Sequence, residues 1–399
     1  MIAALFIIIT SNCQVVLCQI IPDSCVAPRM EEIKNVTNDN GAVTIHFSND
    51  QIIDYVYIWL RDHCRCSVCY RSDTQQRIQH LFHIPDSDIS DLKFDKDRVY
   101  ITWDDNHESV YQADFLIQFD YNKWILKQRH NPVLWQGDKI AEKVAKTSFQ
   151  EFLNSSDTAR YVFQSLLDYG IALIENVEPT EAGTEKVCNA LGGIQHTMYG
   201  TTWIVHQKFE HADVAYTDMS LACHTDLTYS TEAAGLQIFQ SLGHTEGSGG
   251  ENFLVDGFYC AQRLKKEFPE DYKFLTNFDV DFEYIEKGHN QRHSAPVITV
   301  DKMDEIKQIR FNNYDRASMA FSNREDCRAY YRSLKNLLKY FEDPSNQWKI
   351  KLKPGTVLAL DNFRILHGRT SYTGNRVLCG SYVSRTDWLD RARTLGLID

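Results

Sequence analysis

A short stretch near the middle of the chain carries side chains of the kind that bind a redox-active metal. It reads Cys223-His224-Thr225-Asp226-Leu227, and a second histidine, His367, stands far downstream. Two imidazoles and one carboxylate form the facial triad that holds non-haem Fe(II) and leaves three coordination positions open. On a β-strand His224 and Asp226 would project from the same face, because they are two residues apart. The pattern predicts an Fe(II) site made by His224, Asp226 and His367.

The third ligand of such a site must come from a strand that is distant in sequence and adjacent in space. His367 follows the apolar run Thr356-Val357-Leu358-Ala359-Leu360-Asp361, which is typical of a buried strand that starts at a Lys353-Pro354-Gly355 turn. An isolated His-x-Asp triplet is a weak sign of a metal site, because such triplets also occur on surfaces and in cores. The prediction therefore depends on the elements that position the three residues.

The composition of the chain is that of a soluble globular protein. It has 399 residues, enough for about two domains. Its formal net charge of -12 argues against a nucleic-acid partner, since no basic stretch offsets it. Its 11 cysteines are odd in number and widely scattered, so they do not indicate a disulfide framework and fit a reducing compartment better.

The amino-terminal segment points to a different compartment. Residues 1–21 are almost wholly apolar or small, which is typical of the hydrophobic region of a signal peptide without its basic start. These residues lack the Arg- and Ser-rich pattern of a mitochondrial transit peptide. They are also a poor candidate for a membrane-spanning helix, because Ser11–Gln14 interrupt the apolar run. We therefore treat residues 1–40 as an apolar segment and linker and leave them out of the fold prediction. Their role stays open, and a wrongly chosen start codon is one explanation.

Residues 41–125 are predicted to form a small β-rich domain. Runs of β-branched and aromatic residues indicate strands at Val43–Phe47, Tyr55–Leu60, Val99–Trp103 and Ser109–Tyr111. Three closely spaced thiols and a histidine in the loop of the last hairpin could supply a closed tetrahedron for structural Zn(II): Cys64, Cys66, Cys69 and His107. The alternative is three ordinary reduced cysteines, but a small domain gains folding free energy from a metal.

Residues 126–399 are predicted to form a double-stranded β-helix, or jelly roll, with helical insertions. Helices are expected at Ser148–Asp168, at about Glu181–Leu191, from Asp256 to about Phe268, and after a capping box at Ser322–Glu325. Short strands between turns are expected at Ile171–Ile174, Gly235–Gln240, Phe253–Val255, Val280–Tyr284, Val297–Val300 and Ile306–Phe311. A mainly β chain with a wide barrel mouth can hold a metal there.

An oxygenase of this kind needs an anchor for an anionic cosubstrate. Arg376 stands nine residues after His367, beyond a turn at Thr373–Asn375, and starts the next predicted strand. There it could bind the distal carboxylate of 2-oxoglutarate through a bidentate, charge-assisted pair. A surface arginine in a salt bridge is the alternative, and Arg369 and Arg385 are competing candidates.

Several longer runs make the chain similar to a known family. They are Trp59-Leu60-Arg61-Asp62-His63-Cys64, Leu254-Val255-Asp256-Gly257-Phe258-Tyr259, Asn312-Asn313-Tyr314-Asp315-Arg316, Lys351-Leu352-Lys353-Pro354-Gly355 and Ala392-Arg393-Thr394-Leu395-Gly396-Leu397. On these runs the chain from about Gly41 onward resembles the γ-butyrobetaine/trimethyllysine hydroxylase family of Fe(II)/2-oxoglutarate dioxygenases. The short spacing from His367 to Arg376 is more similar to the trimethyllysine branch.

The resemblance implies a role for each candidate residue. It implies that the triad binds iron, that Arg376 binds 2-oxoglutarate, and that the three thiols and His107 bind zinc. A quaternary ammonium has no hydrogen to donate and is held by the faces of aromatic rings. The resemblance implies such a cage from Tyr199, Trp203, Tyr216 and Tyr382. Asn252 stands where a small hydroxyl residue is expected to assist 2-oxoglutarate.

Asp213 is the residue from which we predict substrate choice. It stands three residues before Tyr216, where the butyrobetaine enzymes resemble one another in carrying a neutral amide. An aspartate would attract the α-ammonium of an amino acid and repel a lone carboxylate. Our hypothesis is that Asp213 selects trimethyllysine over γ-butyrobetaine.

The activity that the resemblance implies is hydroxylation of N6,N6,N6-trimethyllysine at C3, the opening step of carnitine synthesis. Ascorbate would keep the iron ferrous. Hydroxylation of γ-butyrobetaine is the nearest alternative, and a non-catalytic, zinc-bearing interaction protein is the second. The resemblance also implies a small-molecule substrate, a homodimer, and a mitochondrial or cytoplasmic location.

Overall fold

A computed structural model describes residues 31–127, 131–206 and 214–398 of the chain. The chain divides into two compact units between residues 129 and 130. The amino-terminal segment of residues 1–30 and Asp213 lie outside the described residues. No helix in the described ranges is both long and apolar enough to cross a membrane.

The first unit is built from two three-stranded antiparallel sheets and a short ribbon. Its strands are β1 (Ile33–Asp39), β2 (Ala42–Phe47), β3 (Ile52–Val56), β4 (Tyr70–Arg71), β5 (Gln76–Arg77), β6 (Ile89–Phe94), β7 (Arg98–Trp103) and β8 (Glu108–Gln112). Its helices are α1 (Tyr57–Asp62), α2 (Ala113–Ile117) and α3 (Tyr121–Lys127). Alternate residues of β2 and β7, such as Ile45 and Ile101, form its buried core. The strands predicted within β2, β7 and β8 are confirmed.

Two expectations for the first unit differ from the structure. The first sheet begins at Ile33, ahead of the expected start at Gly41, because β1 pairs along β2. The strand predicted at Tyr55–Leu60 is wrong beyond Val56, where α1 begins. Helical spacing stacks Trp59 on His63, with ring centroids 4.0 Å apart. Tertiary packing overrides the β propensity of this aromatic run, since the helix buries Leu60 in the core.

The second unit is organised around two β-sheets. Its strands are β9 (Ala145–Ser148), β10 (Ile171–Glu175), β11 (Thr202–Val205), β12 (Leu221–His224), β13 (Leu236–Thr245), β14 (Asn252–Asp256), β15 (Asp279–Glu286), β16 (His289–Pro296), β17 (Ile298–Val300), β18 (Ile306–Ile309), β19 (Gln347–Ile350), β20 (Val357–Asp361), β21 (Ile365–Arg369) and β22 (Asn375–Val383). One sheet has six strands in the order β11-β22-β13-β20-β10-β9, and the other has four in the order β12-β21-β14-β19. A buried apolar cluster joins them, with Phe239 from the larger sheet and Leu254 from the smaller.

The helices of the second unit lie between and around these strands. They are α4 (Phe149–Asn154), α5 (Ser156–Tyr169), α6 (Glu181–Leu191), α7 (Gly257–Glu267), α8 (Pro269–Asn277), α9 (Arg324–Phe341) and α10 (Arg385–Thr394). The single helix predicted at Ser148–Asp168 is split at Ser155, whose hydroxyl accepts from the Thr158 amide and caps α5. The capping box predicted from Ser322 is wrong, because the Asn323 side chain is the cap of α9.

A buried ion pair connects the elements that support the smaller sheet. Arg364 Nε and Nη2 donate to the two carboxylate oxygens of Asp256 at 3.0 and 2.8 Å. The guanidinium also donates to the main-chain oxygens of Asp168 and Val133. Asp256 in turn accepts from three main-chain amides, at Trp135 and at the first turn of α7. The pair therefore ties β14, β21, α5 and α7 together at one point.

We expect Arg364→Met to destabilise the protein strongly. The variant keeps much of the side-chain volume but leaves the Asp256 charge buried without its partner, which typically costs about 3–5 kcal/mol. Arg292→Met is the matched control, because Arg292 pairs with Glu283 at the surface, where an ion pair contributes about 1 kcal/mol or less. Urea unfolding of both variants measures the difference, and equal losses would contradict this account of the buried pair.

Candidate active site

The sheet pairing brings the two candidate histidines face to face. β12 is the edge strand of the smaller sheet and pairs with β21, so that His224 stands opposite His367. Their Nε2 atoms lie 3.3 and 3.5 Å from the same Asp226 oxygen, Oδ1. The structure therefore brings together all three predicted ligands, with one donor atom from each within 4.8 Å of the others.

Asp226 reaches this cluster from a loop and not from a strand. β12 ends at His224, so the expectation that both residues alternate along one strand is wrong for Asp226. The loop is fixed instead by Asn362, which accepts from the Asp226 amide at 2.8 Å and donates to its carbonyl at 3.0 Å. Leu227 follows with a left-handed φ of 57°, a strained conformation for a bulky residue that turns the chain directly after the carboxylate.

The donor atoms of the cluster suit a divalent cation. His224 Nδ1 lies 2.7 Å from the Ala222 carbonyl, which leaves the Nε2 lone pair for a metal if the Nδ1 carries the proton. Burial and the nearby His224 lower the pKa of His367 to about 3, so this imidazole is neutral. Burial raises the pKa of Asp226, but the two imidazoles and the Tyr382 hydroxyl more than offset it and keep the carboxyl ionised. Burial lowers the pKa of His224, but its hydrogen bond to Asp226 and the charge of that carboxylate more than offset this and raise the pKa above its ordinary value. Two imidazoles and one carboxylate are the ligand set of non-haem Fe(II), and binding a cation would displace a proton from His224 Nε2.

The cluster lines a cavity that also contains aromatic side chains. All four predicted cage residues line it: Tyr199, Trp203, Tyr216 and Tyr382. The Trp203 and Tyr382 rings are 6.1 Å apart. At Gly380 of β22 a Cβ atom would lie 2.0 Å from the Trp203 ring, so the glycine is required for the indole to lie against the strand. Sequence reasoning missed Tyr229 as a further lining residue, whose hydroxyl lies 2.8 Å from that of Tyr199.

A buried cation also lines the cavity. Arg376 is 5% exposed, and in the described part of the chain its Nη1 has no hydrogen-bond partner. The same holds for Nδ2 of Asn252, a second buried donor in the lining. Burial and the charge of Arg369 lower the pKa of Arg376 to about 10, which still leaves it charged at neutral pH. These donors fit an anion such as the distal carboxylate of 2-oxoglutarate.

The two competing arginines are engaged elsewhere. Arg369 also lines the cavity, but it donates to main-chain oxygens of Ala215, Thr217 and Met219. Arg385 pairs with Asp361 at 2.7 Å. Among the three candidates from the sequence, Arg376 is therefore the one whose geometry fits an anionic cosubstrate best.

Comparison with known proteins identifies the family to which the chain belongs. The Taurine catabolism dioxygenase TauD, TfdA family matches residues 136–382, and the Gamma-butyrobetaine hydroxylase-like, N-terminal family matches residues 34–117. The mitochondrial trimethyllysine dioxygenase of Bos taurus is 38% identical over 361 residues, which cover 88% of this chain and 85% of the relative. The chain belongs to the γ-butyrobetaine/trimethyllysine hydroxylase family of Fe(II)/2-oxoglutarate dioxygenases.

Further relatives in this family include both of its branches. The mitochondrial trimethyllysine dioxygenase of Homo sapiens is 37% identical over 354 residues, covering 87% of this chain and 84% of the relative. The gamma-butyrobetaine dioxygenase of Homo sapiens is 29% identical over 357 residues, covering 86% and 91%. The likeness therefore extends over most of the chain and over most of each relative.

The structure also separates the two asparagines of the Asn312–Arg316 run. Asn312 lines the cavity and donates to Asp315 at 2.7 Å, whereas Asn313 accepts from Arg316. Asp315 lines the cavity too and accepts from the Thr228 hydroxyl at 3.0 Å. Among the described residues of the lining, the carboxylates are therefore Asp226 and Asp315. Pattern reasoning missed Asp315, because a loop aspartate carries no spacing signal.

The second candidate metal cluster lies in the first unit. His107 Nε2 lies 3.4 Å from the sulfur of Cys64 and 3.7 Å from those of Cys66 and Cys69. A tetrahedral ion with ordinary Zn–S and Zn–N bonds would set these separations at about 3.5 Å. Burial, followed by the charges of neighbouring thiols, raises the pKa of Cys69 to about 12. The residues fit Zn(II), because a bound cation would stabilise the thiolate form of Cys69 that burial and the neighbouring thiols disfavour.

Proposed function

We propose that this dioxygenase hydroxylates N6,N6,N6-trimethyllysine at C3. The observation that carries the proposal is a His-Asp-His cluster in the wall of a cavity that also presents aromatic rings and the buried Arg376, whose Nη1 has no hydrogen-bond partner among the described residues. The identity of 37–38% to trimethyllysine dioxygenases from mammals supports the choice of substrate. Hydroxylation of γ-butyrobetaine is the alternative within the same family.

The chain's own residues divide into two groups of binding contacts. His224, Asp226 and His367 would hold Fe(II), while Arg376 and Asn252 would hold the distal carboxylate of 2-oxoglutarate. When bound, iron and 2-oxoglutarate supply O₂-dependent hydroxylation, in which 2-oxoglutarate is converted to succinate and CO₂. Ascorbate would keep the metal ferrous.

Strand β22 contributes residues to both proposed binding subsites. Residues 376, 378, 380 and 382 alternate with residues that point to the other face, and Arg376, Leu378 and Tyr382 line the cavity. Six residues of extended strand span roughly 20 Å. One strand thus carries both the proposed anchor for the cosubstrate and a member of the proposed cage for the trimethylammonium group. Holding the substrate at fixed points would place one carbon toward the metal cluster.

The amino-acid end of the substrate needs a group that recognises an ammonium. Asp213 stays our hypothesis for this role. Asp315 is a further carboxylate whose orientation is set by Thr228 and Asn312. Asp226 is oriented toward the two histidines. Of the two carboxylates in the described lining, Asp315 is therefore better suited to attract a cationic substrate.

Zinc binding by Cys64, Cys66, Cys69 and His107 is part of the proposal. The closed set of four ligands leaves no position for a substrate, so the ion would be structural. A homodimer and a mitochondrial or cytoplasmic location stay predictions. The mammalian relatives are named as mitochondrial proteins, and residues 1–30 lie outside the described part of this chain.

We expect succinate release in the presence of Fe(II), 2-oxoglutarate and ascorbate to be faster with trimethyllysine than with γ-butyrobetaine. The two substrates are compared in parallel, and His367→Ala, which removes one ligand, is the control that should abolish release. A preference for γ-butyrobetaine would keep the iron site and overturn the substrate. No release with either substrate by iron-loaded protein would favour a non-catalytic role.

Asp213→Asn and Asp315→Asn should each impair recognition of the α-ammonium. Loss of one partner from a desolvated charge pair costs about 2 kcal/mol or more, which is roughly a 30-fold loss in kcat/KM for trimethyllysine. The control substrate is the analogue that lacks only the α-amino group, and its kcat/KM should change little. A variant that lowers kcat/KM for both substrates by the same factor does not act on the α-ammonium.

Cys69→Ser should lower the zinc content from about one ion per chain and lower the unfolding temperature of the first unit. The reason is that three remaining ligands cannot close the tetrahedron. Cys327→Ser is the control, because Cys327 is a partly exposed thiol on α9. Metal analysis and thermal unfolding test the pair of variants, and zinc retained by Cys69→Ser would exclude this ligand set.

A further inference from the structure

Tyr382 contacts two functional parts of the cavity at once. Its hydroxyl donates to Asp226 Oδ2 at 3.0 Å. Its ring lies against the Trp203 indole, and both residues line the cavity. The other Asp226 oxygen, Oδ1, is the one that faces the two histidines. The two oxygens of one carboxylate therefore have different neighbours.

This division has a consequence for metal binding. A carboxylate that binds through both oxygens would occupy an additional coordination position, whereas a hydrogen bond to Oδ2 directs Oδ1 alone toward the metal. Asn362 bonds to the main chain of Asp226, so it fixes the backbone and leaves the rotation of the carboxylate to side-chain partners. Hydrogen bonds that orient a ligand typically change metal affinity 10–100-fold.

We propose that Tyr382 is a positioning residue that holds Asp226 for binding through one oxygen and couples the aromatic subsite to the metal cluster. The coupling rests on the proposed function, which assigns Trp203 and Tyr382 to a quaternary ammonium. A cation over the Tyr382 ring polarises the phenol and strengthens its O–H as a donor. The same contact restricts the ring, so the hydroxyl stays directed at Asp226. Because linkage is reciprocal, a ligand that strengthens this hydrogen bond also tightens the metal.

The test measures binding of Mn(II), with free Mn(II) followed by its paramagnetic resonance signal. Mn(II) prefers nitrogen and oxygen donors, so it reports on the His-Asp-His cluster and not on the thiols. The proteins are the wild type, Tyr382→Phe, which loses the hydroxyl and keeps the ring, and Tyr161→Phe as the matched control. Tyr161→Phe makes the same change at a half-exposed tyrosine of α5 that does not line the cavity. Each is titrated with and without trimethyllysine, and urea unfolding verifies that each is folded.

Without trimethyllysine, Tyr382→Phe should bind Mn(II) about 10–100-fold more weakly than the wild type, and Tyr161→Phe should match the wild type. Trimethyllysine should tighten Mn(II) about fivefold or more in the wild type and have no effect on it in Tyr382→Phe. Equal Mn(II) affinity of Tyr382→Phe and the wild type would overturn the positioning role. The same tightening in both proteins would overturn the coupling.

The outcomes also separate this inference from the proposed function. Mn(II) binding without trimethyllysine requires neither turnover nor a correct substrate, so the positioning role is tested independently. If trimethyllysine leaves Mn(II) affinity unchanged in the wild type while Tyr382→Phe still binds weakly, the coupling is overturned and the positioning role is supported.

Discussion

The ion pair between Asp256 and Arg364 is the interaction on which the architecture around the site depends. Both side chains are almost completely buried, at 0% and 1% exposure. Two charges removed from water are tolerated when they are paired and their remaining hydrogen-bonding groups are satisfied. Here both carboxylate oxygens and all three guanidinium nitrogens have partners. Four segments of chain therefore meet at one point with these polar groups paired.

The pairing of β14, β21 and β12 connects this ion pair to the metal cluster. Arg364 immediately precedes β21, and β21 pairs with β14, whose last residue is Asp256. The same strand β21 pairs on its other side with β12, which places His224 opposite His367. Gly257 allows the close approach, because a Cβ there would lie 2.7 Å from the Arg364 carbonyl oxygen. A shift in the register of β21 by one residue would turn His367 away from the cavity.

Sequence reasoning succeeded where a short pattern determines the structure. The buried strands near β10 and β20 and the Asp256 cap of α7 follow from local patterns, and the structure confirms them. The aromatic run at Tyr57–Leu60 failed, because a helix that buries Leu60 competes with its β propensity. The prediction that Asp226 is a metal-cluster residue holds, but the predicted strand does not reach it. Asn362, which is 136 residues away, holds the Asp226 loop instead. Contacts of that range leave no trace in local spacing.

The site residues show the same limit. Types and spacing indicated His224, Asp226, His367 and Arg376, because metals and carboxylates demand particular donors. Tyr382 entered as one aromatic ring among several, and nothing in its neighbours reveals that its hydroxyl bonds to Asp226. Asp315 belongs to a run that carried the family resemblance, but its place in the cavity lining depends on the chain folding back onto Thr228.

The buried polar groups that line the cavity favour the binding of an anionic ligand. Arg376 stays charged although burial and Arg369 lower its pKa to about 10. Among the described residues, Nη1 of Arg376 and Nδ2 of Asn252 have no hydrogen-bond partner, and buried donors of this kind cost the folded state free energy. An anion that accepts from both Arg376 and Asn252 would recover that free energy on binding. Binding to the folded state alone also stabilises it. These unsatisfied donors are therefore a source of affinity for an anion, and they lie near the amino-terminal end of β22, whereas Tyr382 lies near its carboxyl-terminal end.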